Sequence, residues 1–177
     1  MTLLTVWPDD QPGHVLLRTE DTGAIVAELG RVGAGFARWP LVEDGSDGSD
    51  GSDGDLVGRY RELIDSLGGG SVDVVGGETS LVERSWGGVE DRFFVRGAAV
   101  WYLHAGREVH AVLCEPGDVL TVPAGVRHWQ DGAAGCVTVR VRRAGAVRAR
   151  GGVVRDLVPG EFPGFAELVA ERVGVGW

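Results

Sequence analysis

Between residues 72 and 141 the sequence is divided into short runs rich in Val, Leu, Phe and Tyr, at 72–75, 91–95, 100–104, 109–113, 119–122 and 136–141, with turn-forming residues between them. β-Branched and aromatic side chains fit a pleated, half-buried surface, and short runs at regular spacing bury that surface by closing into a barrel. A mainly β fold with flanking helices follows. Leu3 to Trp7 adds an earlier strand, and residues 15–17 a shorter one. Thr22 caps a helix with Ile25, Val26 and Leu29 on one face; Gly30 and Gly33 to Gly35 end it and leave Phe36 and Trp39 to enter the core. Asp55 caps a second helix carrying Leu56, Tyr60, Leu63, Ile64 and Leu67 on one face, and Gly68 to Gly70 stop it. Both are expected to pack outside the barrel. Residues 162–173, with Phe165, Leu168 and Val169 as apolar positions, form a terminal helix expected to cap it.

The 177 residues fit one domain, residues 1–177, with a core large enough to need neither disulfide nor structural metal. Residues 45–53 are three Gly-Ser-Asp repeats, which bury nothing and predict a flexible loop over 45–54. Their period of three lacks the aspartate ladder of an EF-hand loop. No apolar run approaches the roughly 20 residues of a membrane helix, and the start lacks signal-peptide character, so the expected location is the cytoplasm with no membrane partner. A net charge of -9 argues against nucleic acid as a partner. The six arginines between Arg140 and Arg155 read as a solvated strand face. All 17 basic residues are arginine, which excludes Schiff-base, pyridoxal-phosphate and Walker-lysine chemistry together. Cys114 and Cys136 have no Cys-x-x-Cys spacing and read as buried thiols.

The most specific motif is Gly117, five residues, Pro123, Ala124, Gly125, two residues, His128. It resembles the second motif of cupin barrels, in which the Pro-Gly turn aims a histidine into the barrel. Glu90, followed after six residues by Gly97, matches the surviving part of the first motif. Residues 92–95 (Arg-Phe-Phe-Val), 111–115 (Ala-Val-Leu-Cys-Glu), 122–129 (Val-Pro-Ala-Gly-Val-Arg-His-Trp) and 36–39 (Phe-Ala-Arg-Trp) closely resemble the acireductone dioxygenases. The resemblance implies a cupin, a double-stranded β-helix or jelly-roll barrel. It also implies oxidation of an enediol of methionine salvage with Fe(II) or Ni(II) held by three histidines and a glutamate. Glu90 and His128 match two of those ligands, as remnants of the metal site. The family's His-x-His pair falls instead on Arg84-Ser85-Trp86, and its Asn-Pro-Glu-Gly-Trp segment on Arg143-Ala144-Gly145-Ala146-Val147-Arg148.

Arginine is protonated at biological pH and offers no lone pair, and indole does not ligate. The expected cofactor is therefore none, or a weakly bound divalent metal, Fe or Ni if any. If residues 84, 86, 90 and 92 share one strand face, Arg84 reaches Glu90 and stands where the metal stood. Glu90, His128 and Arg84 are then the candidate catalytic groups, and Arg92, Trp86, Phe94 and Trp129 the candidate substrate-binding ones. A small anionic or enolic molecule of specialised metabolism is the expected substrate. Two alternatives stay open: a metal dioxygenase with ligands substituted from Glu83, His104 or His110, and a silent ligand-binding or regulatory cupin.

Overall fold

The computed structural model describes residues 1–42, 53–76, 79–144 and 155–173. The loop expected at 45–54 lies outside these residues from 45 to 52, while Asp53 already opens a helix. In chain order the elements are β1 (Leu3–Pro8), β2 (Leu17–Thr19), α1 (Thr22–Arg31), β3 (Gly35–Arg38), α2 (Asp53–Arg59), α3 (Arg61–Ser66), β4 (Ser71–Gly76), β5 (Ser80–Arg84), β6 (Val89–Arg96), β7 (Ala99–Ala105), β8 (Glu108–Cys114), β9 (Asp118–Val122), β10 (Arg127–Gly132), β11 (Val137–Arg143) and α4 (Phe165–Val173). They form two antiparallel sheets, ordered β2-β1-β8-β7-β10-β5 and β3-β9-β6-β11-β4.

Strand alternation sorts side chains into three apolar clusters. The inner faces of both sheets contribute Leu4, Val6, Phe94, Trp101, Leu103, Val112, Leu120 and Val122 to one core. The outer face of the first sheet supplies Trp7, Tyr102 and Trp129 to a second, where Phe162 and Leu168 of the C-terminal segment cover them. The outer face of the second sheet supplies Phe93, Val139 and Val141 to a third, covered by Tyr60, Leu63 and Ile64.

Several local expectations shift for identifiable reasons. Helix α1 is capped by Asp21, whose Oδ1 accepts from the Ala24 N–H at 2.7 Å, and Thr22 is its first residue. Its Ile25 and Leu29 join the inner core, so α1 packs onto the barrel interior, whereas α2 and α3 pack outside as expected. The second helix is interrupted at Tyr60, whose ring meets Phe93 edge-on at 4.7 Å. Helix α4 covers the flank of the first sheet instead of capping the barrel, because Leu168 finds its apolar partners there. Both cysteines are buried free thiols.

Two candidate substrate contacts belong to packing. Phe94 is 0 % exposed within the inner core. Trp129 borders the central cavity, but its ring stacks on Tyr102 at 4.9 Å on the other side of the sheet, because it alternates with His128. Phe94→Ala should lower the unfolding free energy by about 3–5 kcal/mol in urea titrations, the cost of emptying an aromatic core position, while truncation of exposed Val82 should change it by less than about 0.5 kcal/mol.

Candidate functional site

The inner faces of the two sheets leave a cavity of about 150 Å³, lined among others by Ser80, Arg84, Trp86, Glu90, Arg92, Trp101, His128, Arg140 and Arg142. Such a volume holds a ligand of roughly six heavy atoms. The motif turn positions His128. Gly125 has φ of +77°, a left-handed conformation that favours glycine, and its N–H donates to the Trp86 carbonyl at 2.7 Å. This bond ties residue 86 to the loop preceding β10. His128 then stacks on Trp101 at 5.5 Å, and its Nδ1 lies 3.1 Å from the Val126 carbonyl oxygen. With Nδ1–H donating there, Nε2 carries the lone pair. Burial holds the imidazole below its ordinary value of 6.5, outweighing the pull of the Val126 carbonyl and Glu90.

Glu90 is 2 % exposed in the middle of the second sheet. Its Oε1 accepts from Arg92 Nε at 2.7 Å and its Oε2 from Arg142 Nε at 2.9 Å. Burial pushes the carboxyl up, but the charge and hydrogen bonds of Arg92 and those of Arg142 bring it below its ordinary range. The two guanidiniums are themselves supported: Arg92 lies 4.9 Å over Trp101 and donates to Thr138 Oγ1 at 3.0 Å, and Arg142 lies 5.1 Å over Trp86. Trp86 reaches this position because residue 88 is glycine; a Cβ there would lie 2.5 Å from its ring.

Glu90 therefore has different partners from the one expected. Arg84 lies on β5, which pairs with β10 in the first sheet, and Glu90 on β6, which pairs with β9 and β11 in the second. Residues 85–88 are not a strand but the passage from one sheet to the other, so a shared face with period two does not exist. Arg84 lines the cavity from the side of His128, its Cα partner, and donates to the Ser80 hydroxyl. It has no carboxylate partner among the described residues.

Arg140 and Arg142 are a second correction. They alternate with buried Val139 and Val141 and so line the cavity, while Arg140 keeps 22 % and Arg142 36 % of its side chain exposed. The period of two in Val139-Arg140-Val141-Arg142 carried that information; the pairing with Glu90, 52 residues away, did not show locally. Arg148 and Arg150 lie outside the described residues, as do residues 145–148 of the altered segment. Glu83 and His104 do not reach the cavity. They face outward and bond each other at 2.6 Å, with Asp9 on the other imidazole nitrogen at 3.3 Å. His110 faces inward but is engaged by Glu28, 3.1 Å away.

The arrangement does not fit a resident divalent metal. Of the residues at the four ligand positions implied by the resemblance, Arg84 and Trp86 have no lone pair to offer, and both Glu90 oxygens are hydrogen-bonded to guanidinium. A divalent ion would also stand among Arg84, Arg92 and Arg142.

Residues 82–140, which carry this whole site except Val75, Ser80 and Arg142, match the model of the ARD/ARD' family. The acireductone dioxygenase of Saccharopolyspora erythraea is 37 % identical over 97 % of this chain and 100 % of its own length. The chain belongs to the acireductone dioxygenase family. A relative from Nocardia farcinica, acireductone dioxygenase 2, is 37 % identical over 74 % of this chain and 78 % of its own. Among solved structures, an acireductone dioxygenase from Bacillus anthracis with cadmium in its active centre superposes with a TM-score of 0.63 over 84 % of this chain and 95 % of its own, at 20 % identity. That likeness shows the cupin fold. Among the described residues no helix is long and apolar enough to cross a membrane.

The electrostatics fix the direction of acid sensitivity. His128 and His110 are both held below 6.5 by burial, so their contribution to stability is complete above that pH and is lost as pH falls toward their folded values; Glu90 does the same below 4.5. Urea unfolding should show lower stability at pH 5.5 than at pH 7, with most of the difference removed in a His110→Gln, His128→Gln double variant. Glu90→Gln leaves two guanidiniums facing a neutral amide and should cost about 3–5 kcal/mol at pH 7.

Proposed function

We propose that this member of the acireductone dioxygenase family binds a small anionic or enolic molecule through arginine, without a resident metal, and acts on it by proton transfer. The observation that carries this reading is the charge pattern of the second sheet. Arg142 stands directly opposite Glu90 and Arg140 directly opposite Arg92 on the paired strands β11 and β6. The first pair attracts and the second repels. Asp73 offsets Arg140, bonding its Nε at 2.9 Å, which leaves the cavity cationic in a chain of net charge -9. An anion between the two sheets relieves that excess and meets Arg84, whose side chain among the described residues donates to the Ser80 hydroxyl.

The chemistry follows from the same groups. Nε2 of neutral His128 accepts a proton from the ligand's hydroxyl or activated carbon and becomes imidazolium, while the electron pair left behind forms an enolate or enediolate. Its negative charge faces Arg84 and Arg142 in a site partly closed by Trp86 and Trp101. Glu90 keeps the guanidiniums in place as their counter-charge; both its oxygens are occupied, so it is a positioning residue and His128 the proton acceptor.

Oxalate, a planar dianion of six heavy atoms, is the probe. Calorimetric titration should show binding that survives dialysis against EDTA, and Arg84→Gln should weaken it at least about 10-fold, some 1.4 kcal/mol. Deuterium exchange from D2O into an enolisable 2-oxo acid should fall by about 100-fold in His128→Gln. Oxalate binding that appears only after Fe(II) or Ni(II) is added would overturn the proposal.

A further inference from the structure

Glu108 and His110 are two residues apart on β8 and so project from the same face, and Glu28 on α1 meets them there. One ligand atom from each lies within 4.8 Å of the others. His110 Nε2 is 3.1 Å from Glu28 Oε1 and 3.7 Å from Glu108 Oε2. Two ligand atoms on one tetrahedral ion at about 2.0–2.2 Å stand about 3.3–3.6 Å apart, so both imidazole–carboxylate spacings are already near that value and closure requires the two carboxylates to draw together. One atom already occupies the centre. Arg31 Nη2 donates to Glu28 Oε1 at 2.6 Å and to Glu108 Oε2, and lies 3.5 Å from His110 Nε2.

We propose that Glu28, Glu108 and His110 form a divalent transition-metal site, separate from the arginine cavity, which the Arg31 guanidinium plugs until a metal displaces it. Two carboxylates converging on one point need a cation, and one imidazole with two carboxylates suits Zn(II), Co(II) or Ni(II). Arg31 is a displaceable plug because its side chain is 53 % exposed and can swing into solvent at the end of α1. An independent feature marks His110 as more than the partner of an ion pair. It is 0 % exposed, yet its second nitrogen, Nδ1, is buried with no hydrogen-bond partner among the described residues. In the ion pair Nε2 donates its proton toward Glu28, and the open Nδ1 can take up that ring proton, which leaves the lone pair of Nε2 for an ion. The site is distinct from the cavity: His110 and His128 flank Leu103 on opposite sides of β7.

Cobalt chloride and zinc chloride, each titrated alone into the full chain, test this by calorimetry and by Co(II) visible absorption. The wild type should bind one equivalent, and Arg31→Gln should bind at least about 10-fold more tightly, since it loses both the competitor and a positive charge. Glu108→Gln, at a position 29 % exposed, should weaken binding at least as much even if His110→Gln fails to fold. His128→Gln should leave metal affinity unchanged, separating this site from the cavity. The absence of stoichiometric binding in Arg31→Gln would overturn the proposal, as would binding abolished by His128→Gln but unchanged in Glu108→Gln.

Discussion

A carboxylate almost wholly withdrawn from water stays ionised only if positive charge stands beside it, and Glu90 sits in that position at the centre of the second sheet. Arg92 and Arg142 supply the charge from the same strand and from the strand alongside it. Each guanidinium in turn requires a surface to lie on, which Trp101 and Trp86 provide. Trp101 supports the His128 ring as well, and Trp86 anchors the Gly125 turn through its carbonyl. One buried charge thus connects four strands and the passage between the sheets into a single arrangement.

That arrangement inverts the electrostatic character implied by the resemblance to the family. A carboxylate with free oxygens and a lone-pair donor set attract a cation; here the carboxylate is already neutralised by Arg92 and Arg142 in a cavity also lined by Arg84 and Arg140, which is the basis of the anion site we propose. The substitution is cooperative in structure, not a matter of two ligands lost. Trp86 fits only above Gly88, and Arg142 lies over its ring. Arg84, at a ligand position implied by the resemblance, is thereby part of a cavity lined by planar cations and planar indoles.

The family and fold were legible because they rest on local patterns. The turn of Gly117, Pro123 and Gly125 and the short apolar runs place the strands along the chain and aim His128 without any knowledge of distant pairings. Partners were less legible. Arg84 and Glu90 are six residues apart and looked like neighbours on one strand, yet Ser85 to Gly88 carry the chain between sheets. The true partner, Arg142, arrives through strand pairing across 52 residues, which no local period encodes. Parity also decided which aromatics face the cavity. Trp129 alternates with His128 and so belongs to the outer cluster, where Phe162 and Leu168 cover it. The cluster of Glu28, Glu108 and His110 was equally hidden, since only the packing of α1 onto the barrel interior brings Glu28 to β8.

Anomalous scattering from crystals soaked separately in cobalt and in bromide measures most directly whether the central cavity takes a cation or an anion. A bromide peak among Arg84, Arg92 and Arg142, with no cobalt peak between Glu90 and His128, is the predicted result. A cobalt ion within about 2.2 Å of both His128 Nε2 and a Glu90 oxygen, with Arg92 and Arg142 turned away, would contradict it.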